Sequence, residues 1–488
     1  MLFNSYYFIF LFLPAVFFGF FCIDRKHLFS MKALWCIAAS VFFYSFWNVG
    51  NLPFIALSIA INYTASILTR RTLVARRIDW AKSVLFVGIA LNVGILVYFK
   101  YCAFFVGILN DIFNVSYKFQ NKELPLGISF FTFQQIIYLV DIYKNRIEQV
   151  DIKNYVLCVC FFPHLIAGPI IRYQHLLPQL TDPAVFRVRP AALATGLGFF
   201  ILGLAKKVLL ADTLAPLADP VFASVASGPV SPGDAWFAAL AYTMQLYFDF
   251  AGYSDMAVGL GLLFGIELPV NFNSPYKATG PIDFWRRWHI SLSTFLRDYL
   301  YIPLGGSRAG RCRQYANLLV TMLIGGLWHG AGWNFILWGA LHGVGLVANH
   351  LWRGLGSREQ RARWLPAYLS RILTFLFIVW GWVLFRAGDM VSVRGMYRAM
   401  LGFGDGAGLT NWPLKTLVLG IALTIAWFCP NTQDMLGRYR SLTERYSLPR
   451  FSVFSWKLDL RWAWVFSCVF LASMACMSGH DKFLYFNF

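Results

Sequence analysis

Apolar runs long enough to enter or cross a bilayer recur along the whole of this 488-residue chain, and that leaves it few ways to fold. They lie at about 6–23, 33–50, 52–69, 83–105, 124–143, 154–171, 191–211, 235–266, 315–350, 371–385, 413–429 and 462–478. A membrane-spanning helix needs about 20 apolar residues. Several runs are shorter, or are interrupted by Gly and Pro, so some are expected to be broken or re-entrant. Such breaks survive in a membrane only where protein or water covers the freed backbone. Only 13% of the residues are charged, against about a quarter in a soluble domain. The reading is an all-α polytopic membrane protein forming one domain over 1–488, with a functional core at about 245–345 and an aromatic tail at 479–488. No loop is long enough to fold alone, and no internal repeat is evident. The first apolar segment lacks a small-residue cleavage site and reads as a retained span.

A net charge of +19 invites a nucleic-acid reading, but its distribution argues against one. The basic residues cluster between spans: Arg70, Arg71, Arg76, Arg77 and Lys82; Lys144, Arg146 and Lys153; Arg286, Arg287, Arg297, Arg308, Arg311 and Arg313; Arg353, Arg358, Arg361 and Arg363; Arg438, Arg440, Arg445 and Arg450. This is the positive-inside pattern, and it puts these loops in the cytoplasm and the segment after 462–478 outside. Arg386, Arg394 and Arg398 fall on the outer side and suit an amphipathic interfacial helix. The nine cysteines lie mostly in apolar runs without a CxxC pair, so they read as small packing residues, and no metal site is expected.

Ionisable side chains are costly in hydrocarbon, so those inside apolar runs are functional candidates. His329 lies in Gly325-Gly326-Leu327-Trp328-His329-Gly330, where Gly326 and Gly330 let another helix approach closely. A histidine bonded across a helix interface is the bland alternative; Trp328, Trp333 and Asn334 favour a shaped polar site. His289 follows Trp285-Arg286-Arg287-Trp288 and precedes Ser291. Interface anchoring explains the tryptophans and arginines but not the imidazole. Gln245, Asp249 and Asp255 interrupt another apolar stretch; they either line a cavity or pair with a core Arg or Lys. Pro163-His164 through Pro169 marks a broken helix with a structural histidine. The sequence Phe483-Leu484-Tyr485-Phe486-Asn487-Phe488 has the composition of an interfacial aromatic belt.

The run from Leu268 through Asn271, Asn273, Pro275 and Tyr276, then Asp283 to Ser293, then Arg297 to Gly306, resembles the membrane-bound O-acyltransferase superfamily. Together with Leu124 to Gln134, Pro163 to Pro169 and Leu327 to Gly330, it is similar to the bacterial alginate O-acetyltransferase branch. The resemblance covers essentially the whole chain. It implies a ring of roughly 11–13 tilted, partly broken or re-entrant helices around a central funnel, in a bacterial inner membrane. It implies acetyl transfer from a cytoplasmic thioester toward an exported, alginate-like or other glycan, through a periplasmic SGNH-type acetyltransferase or directly to the glycan. It makes His329 the active histidine, gives His289 the second polar position, and likens Phe483 to Phe488 to an aromatic motif of that branch.

A neutral imidazole at His329 could remove a hydroxyl proton, an effect worth roughly 10²–10⁴-fold. His289 could donate to the developing oxyanion. Tyr485 could carry the acetyl group as a covalent intermediate. No tightly bound cofactor is expected; acetyl-CoA or another acyl thioester is the donor, its phosphates near Arg286 to Arg313. Both histidines are expected to line one cavity open to the cytoplasm. The alternative is a transporter or export channel for a lipid or glycan intermediate, which the paired histidines and the missing repeat disfavour.

Overall fold

The computed structural model describes residues 1–23, 29–120, 123–148, 151–166, 168–182, 190–308, 310–406, 412–436, 456–477 and 484. All regular structure among them is helical. Five helices are long and apolar enough to cross a membrane: Val49–Val74, Ile78–Phe113, Pro190–Ser224, Trp333–Gly354 and Ala367–Arg386. Shorter apolar helices accompany them at Tyr7–Cys22, Ser30–Ser45, Ile128–Tyr143, Thr416–Phe428 and Leu460–Cys476. The protein is an all-α, multi-pass membrane protein. Arg438, Arg440, Arg445 and Arg450 lie outside the described residues.

The spine is the helix Pro232–Leu263, in which every residue from Ala241 to Leu263 is buried. A helix covered on all sides belongs at the centre of a molecule. Its start is fixed by Ser231, whose hydroxyl accepts the Asp234 N–H at 3.1 Å. It crosses Pro190–Ser224 backbone to backbone at two glycine pairs seven residues apart. A β-carbon on Gly203 would come within 2.6 Å of the Gly252 carbonyl oxygen, and one on Gly259 within 2.5 Å of that of Gly196. Small residues let helices in lipid approach this closely, where packing must replace the hydrophobic drive of water.

Two of the expected apolar runs divide. The run 315–350 is a hairpin of Arg311–His329 and Trp333–Gly354, turned at residues 330–332. Gly326 faces Gly339 across it, whereas Gly330, the other glycine of the expected pair, lies past the helix end and takes no part in the crossing. The run 154–171 is helical at Ile152–Cys160 and Phe162–Leu165 and then leaves the helix. His164 is structural: a ring nitrogen hydrogen-bonds the Cys158 carbonyl at 2.9 Å. On the helix Met390–Met400, Arg394 and Arg398 are exposed while Val393, Met396 and Met400 are buried, so an amphipathic helix forms there. Arg386 pairs with Asp219 at 2.7 Å.

The stretch after the spine, about 264–280, is largely irregular and mostly buried. Its polar groups find partners in the protein. The Tyr276 hydroxyl donates to the Thr243 carbonyl at 2.7 Å. The Asn431 amide donates to Asn273 Oδ1 at 2.9 Å, and the Lys277 ammonium to the Cys429 carbonyl at 2.6 Å.

The glycine crossings yield a paired prediction. Gly259→Val should cost at least the ~1–3 kcal/mol typical of overpacking and lower the melting temperature in detergent. Gly420→Val, at a position with nothing within 4 Å, should leave it unchanged. Equal melting temperatures for the two variants would contradict the crossing.

Candidate active site

His289 sits in a strained turn. Its backbone is left-handed, φ +42° and ψ +57°, at the residue before the helix Ile290–Leu296. Non-glycine residues seldom adopt this conformation, and it persists where neighbours over-determine it. Here the determinant is Asn271. Its carbonyl accepts the Ile290 N–H at 2.9 Å, and its Oδ1 accepts the Ser291 N–H at 3.1 Å and the Ser291 hydroxyl at 2.9 Å. Ser291 Oγ in turn accepts the Ile170 N–H at 3.1 Å, tying the broken segment after Pro163 to the same turn. Asn271 and Ser291 therefore fix the turn that carries His289.

His329 is the last residue of Arg311–His329. Its ring packs against Trp328, Trp338 and Phe385 at centroid distances of 4.8, 5.0 and 5.0 Å. Trp328 also contacts His289, at 6.3 Å, and stacks on Phe133 at 5.0 Å. Phe250 meets the His289 ring edge-on at 4.7 Å. The structure thus brings together His289, Trp328 and His329, which the sequence separates by forty residues.

A cavity of about 100 Å³ lies beside His329, lined by Lys100, Trp328, Ile166 and residues 124–130. One water needs roughly 10–15 Å³ of such space, so an acetyl-sized group fits. His289 is not among its lining residues, so the single cavity expected to join both histidines is not what this cavity is. It also adjoins the connection 114–127. That connection lies at the end of Ile78–Phe113 away from the basic residues Arg76 and Arg77, not on the basic side as expected.

The other expected residues distribute between support and surface. Asp249 and Asp255 are ion-paired, to Lys207 at 2.6 Å and Lys206 at 2.7 Å, the second of the two readings left open. Gln245 is buried one turn from Asp249. The Asn334 amide donates to the carbonyls of Leu384 and Ala387, at 3.3 and 2.9 Å, closing the end of Ala367–Arg386. Trp288 packs in an aromatic cluster with Phe272 and Trp382. Trp285 is buried against Trp338. Arg287 pairs with Asp283 at 2.9 Å, and its NH1 reaches the Asn273 carbonyl at 3.3 Å. Arg286, Arg308, Arg311 and Arg313 are exposed. Tyr485 lies outside the described residues, but Leu484 is described: its N–H donates to Asp249 Oδ2 at 3.2 Å.

Two residues here were not anticipated. Lys100 Nζ donates to the carbonyls of Trp328 at 2.7 Å and His329 at 3.1 Å, and Tyr101 Oη to that of Leu327 at 2.9 Å. The last carbonyls of a helix have no intrahelical partner, and a cation there also meets the negative end of the helix dipole. Both donors sit on the π-helical turn Val97–Tyr101. A lone lysine in the apolar run 83–105 was the available signal.

Residues 78–387 match the model of the membrane-bound O-acyltransferase family. The chain is 42% identical over 430 residues to a peptidoglycan O-acetyltransferase of Helicobacter pylori, covering 82% of this chain and 80% of that protein. It is 42% identical over 442 residues to a "probable alginate O-acetylase" of Pseudomonas aeruginosa, covering 88% and 81%. It is 28% identical over 236 residues to a teichoic acid D-alanyltransferase of Streptococcus thermophilus, covering 46% and 57%.

Removing the ammonium from these carbonyls tests its positioning role. A hydrogen bond from a charged group is worth about 1.5–3 kcal/mol. Lys100→Met should therefore lower turnover by roughly 10- to 100-fold, with normal protein levels and little change in the KM for the donor. Unaltered turnover would reduce Lys100 to a packing role.

Proposed function

The chain belongs to the membrane-bound O-acyltransferase family, and from that premise we propose that it acetylates an exported polysaccharide from a thioester made in the cytoplasm. The reading rests above all on two buried imidazoles in contact with one tryptophan ring, one of them on the wall of an acetyl-sized cavity. The family makes the chain an enzyme rather than a channel. The high identity to proteins named for peptidoglycan and alginate acetylation supports acetyl as the group and a cell-surface glycan as its destination.

His329 is the base. It takes the proton of an attacking hydroxyl, the oxygen adds to the thioester carbonyl, and the thiolate leaves. His289, fixed by the Asn271 turn, is the donor for the oxyanion or the group that orients the nucleophile. A preorganised donor in a water-excluded site acts without reorganisation when charge develops. The basic face with Arg286, Arg308, Arg311 and Arg313 takes the phosphates of acetyl-CoA or of a carrier's phosphopantetheine. With those loops in the cytoplasm, the connection 114–127 and the segment 479–488 lie in the periplasm, and the protein in the inner membrane. The cavity beside His329 then faces the acceptor side.

Tyr485 is the first acceptor. Its hydroxyl loses its proton to His329, takes the acetyl group as an ester, and hands it to a periplasmic acetyltransferase or the glycan. Two transfers through a covalent intermediate replace one that a bulky acceptor could not make inside the protein. The contact of Leu484 with Asp249 on the buried spine supports the reading, because it sets the residue before Tyr485 against the core.

Three substitutions test this in cells, scored by glycan acetylation at matched membrane levels. His329→Ala should abolish it, and near-normal acetylation would end the assignment of the base. His289→Ala should lower it severely but incompletely. Tyr485→Phe removes one oxygen and keeps the ring; it should be as inactive as His329→Ala under the relay, and harmless if the segment is only an aromatic anchor.

A further inference from the structure

The cavity beside His329 has hydrogen-bond donors on its wall that no part of the described chain uses. The start of the helix Ile128–Tyr143 borders it, and Ser129 lines it while only 9% exposed. The chain enters that helix through Gly127 in the left-handed region, φ +71°. A β-carbon there would come within 3.2 Å of the Leu165 carbonyl oxygen, so the turn is held against the end of the helix Phe162–Leu165. The Ile128 N–H goes to the Pro125 carbonyl at 3.1 Å, and those of Phe130 and Phe131 go to the Gly127 carbonyl at 2.9 and 3.0 Å. Neither the N–H nor the hydroxyl of Ser129 has a hydrogen-bond partner among the described residues. Lys100 lines the same cavity. An ammonium has three donors; the carbonyls of Trp328 and His329 take two of those on Lys100, and the other has no partner among the described residues.

We propose that this cavity is the oxyanion site of the transfer: the acetyl group of the thioester sits in it, and Ser129 and Lys100 donate to its carbonyl oxygen. The inference rests on the reading of His329 as the base, and it adds the groups that receive the charge the base sets moving. Leu126, Phe130 and Ile166 on the same wall take the methyl. His329 removes the proton of the attacking hydroxyl, and the oxygen's electron pair forms the new C–O bond. The carbonyl π pair moves onto the acetyl oxygen, where the Ser129 N–H, the Ser129 hydroxyl and the Lys100 ammonium meet it. Collapse restores the C=O bond and breaks the C–S bond, and the thiolate takes the proton back from His329. Leaving a donor unpaired in apolar surroundings is unfavourable. The protein therefore carries that cost in the resting state, and the donors find their full partner only when the charge appears, which is how fixed dipoles favour a transition state over a substrate. The positive end of the helix that starts at Ile128 acts in the same direction. His289 does not line this cavity, so it has the other of its two roles, orienting the nucleophile.

The test uses the full-length protein in detergent and two thioethers of pantetheine, each titrated by calorimetry. Both replace the thioester by a ketone, so neither can be cleaved. The acetonyl thioether keeps a planar carbonyl. The trifluoroacetonyl thioether adds water or a hydroxyl at the ketone and presents a tetrahedral carbon with a readily ionised oxygen. The wild-type protein should bind the trifluoro compound more tightly. A hydrogen bond to a charged group is worth roughly 10- to 100-fold in an equilibrium. Ser129→Ala deletes one oxygen; it should weaken the trifluoro compound by that factor and the acetonyl compound by less than about threefold. Ser129→Thr keeps the hydroxyl and should recover most of the loss. Equal binding of the two compounds by the wild type, an unchanged or equal effect on both in Ser129→Ala, or a Ser129→Thr no better than Ser129→Ala would each overturn the oxyanion site. The base is judged separately, by acetylation in cells. If His329→Ala acetylates normally while the preference for the trifluoro compound depends on Ser129, the base fails and the oxyanion site stands. If His329→Ala is inactive and Ser129→Ala keeps the preference, the oxyanion site fails and the base stands.

Discussion

Hydrocarbon offers no partner to a polar atom, so every carbonyl, amide and charge drawn into the centre of this protein must be answered by another part of the chain. Three arrangements meet that demand, and the site depends on all of them. Asn271 answers the free N–H groups where the chain turns at His289. Lys100 and Tyr101 answer the last carbonyls of the helix that ends at His329. Lys206 and Lys207 answer two carboxylates on the spine. Each solution fixes the direction of a side chain as a by-product of satisfying backbone or charge, so stability and positioning of the site are not separable here.

Geometry explains how those partners reach one another. The glycine pairs at 203–252, 196–259 and 326–339 bring helix backbones into contact, which short polar groups could not bridge otherwise. The π-helical turns then re-aim the residues that must reach across: Lys100 and Tyr101 on one, Lys206 and Lys207 on the second, Arg297 and Asp298 on a third, where Asp298 pairs with both Arg297 and Arg172. An inserted residue in a helix is unfavourable in isolation and recurs at functional positions because it redirects side chains without ending the helix.

Much of this was legible in the sequence, and the reasons for success and failure are physical. Spans and class follow from hydropathy, because lipid filters so strongly for apolar helices. The close helix approach at Gly326 followed from its small side chain, though Gly330 proved to lie beyond the helix end, and the break after Pro163 followed from proline's missing donor. Asn334 and Asp249 were recognisable as buried polar residues, but their partners, the Leu384 and Ala387 carbonyls and Lys207, are fixed only by tertiary contacts. Lys100 was hidden in plain view inside an apolar run; one lysine scarcely alters an average, although an isolated charge is what a membrane least tolerates. The side from which the cavity beside His329 is approached could not be read locally, because Lys100, residues 124–130 and His329 come from distant parts of the chain.

Trp328 gives the site its logic. It contacts both imidazoles, stacks on Phe133 and takes the edge of Phe130, while its carbonyl is held by Lys100. Its broad apolar ring packs against the His329 imidazole on one side and reaches the His289 imidazole on the other. The ring of Trp328 and the ammonium of Lys100 thus act on one helix end: the first packs the His329 imidazole, the second holds the His329 carbonyl.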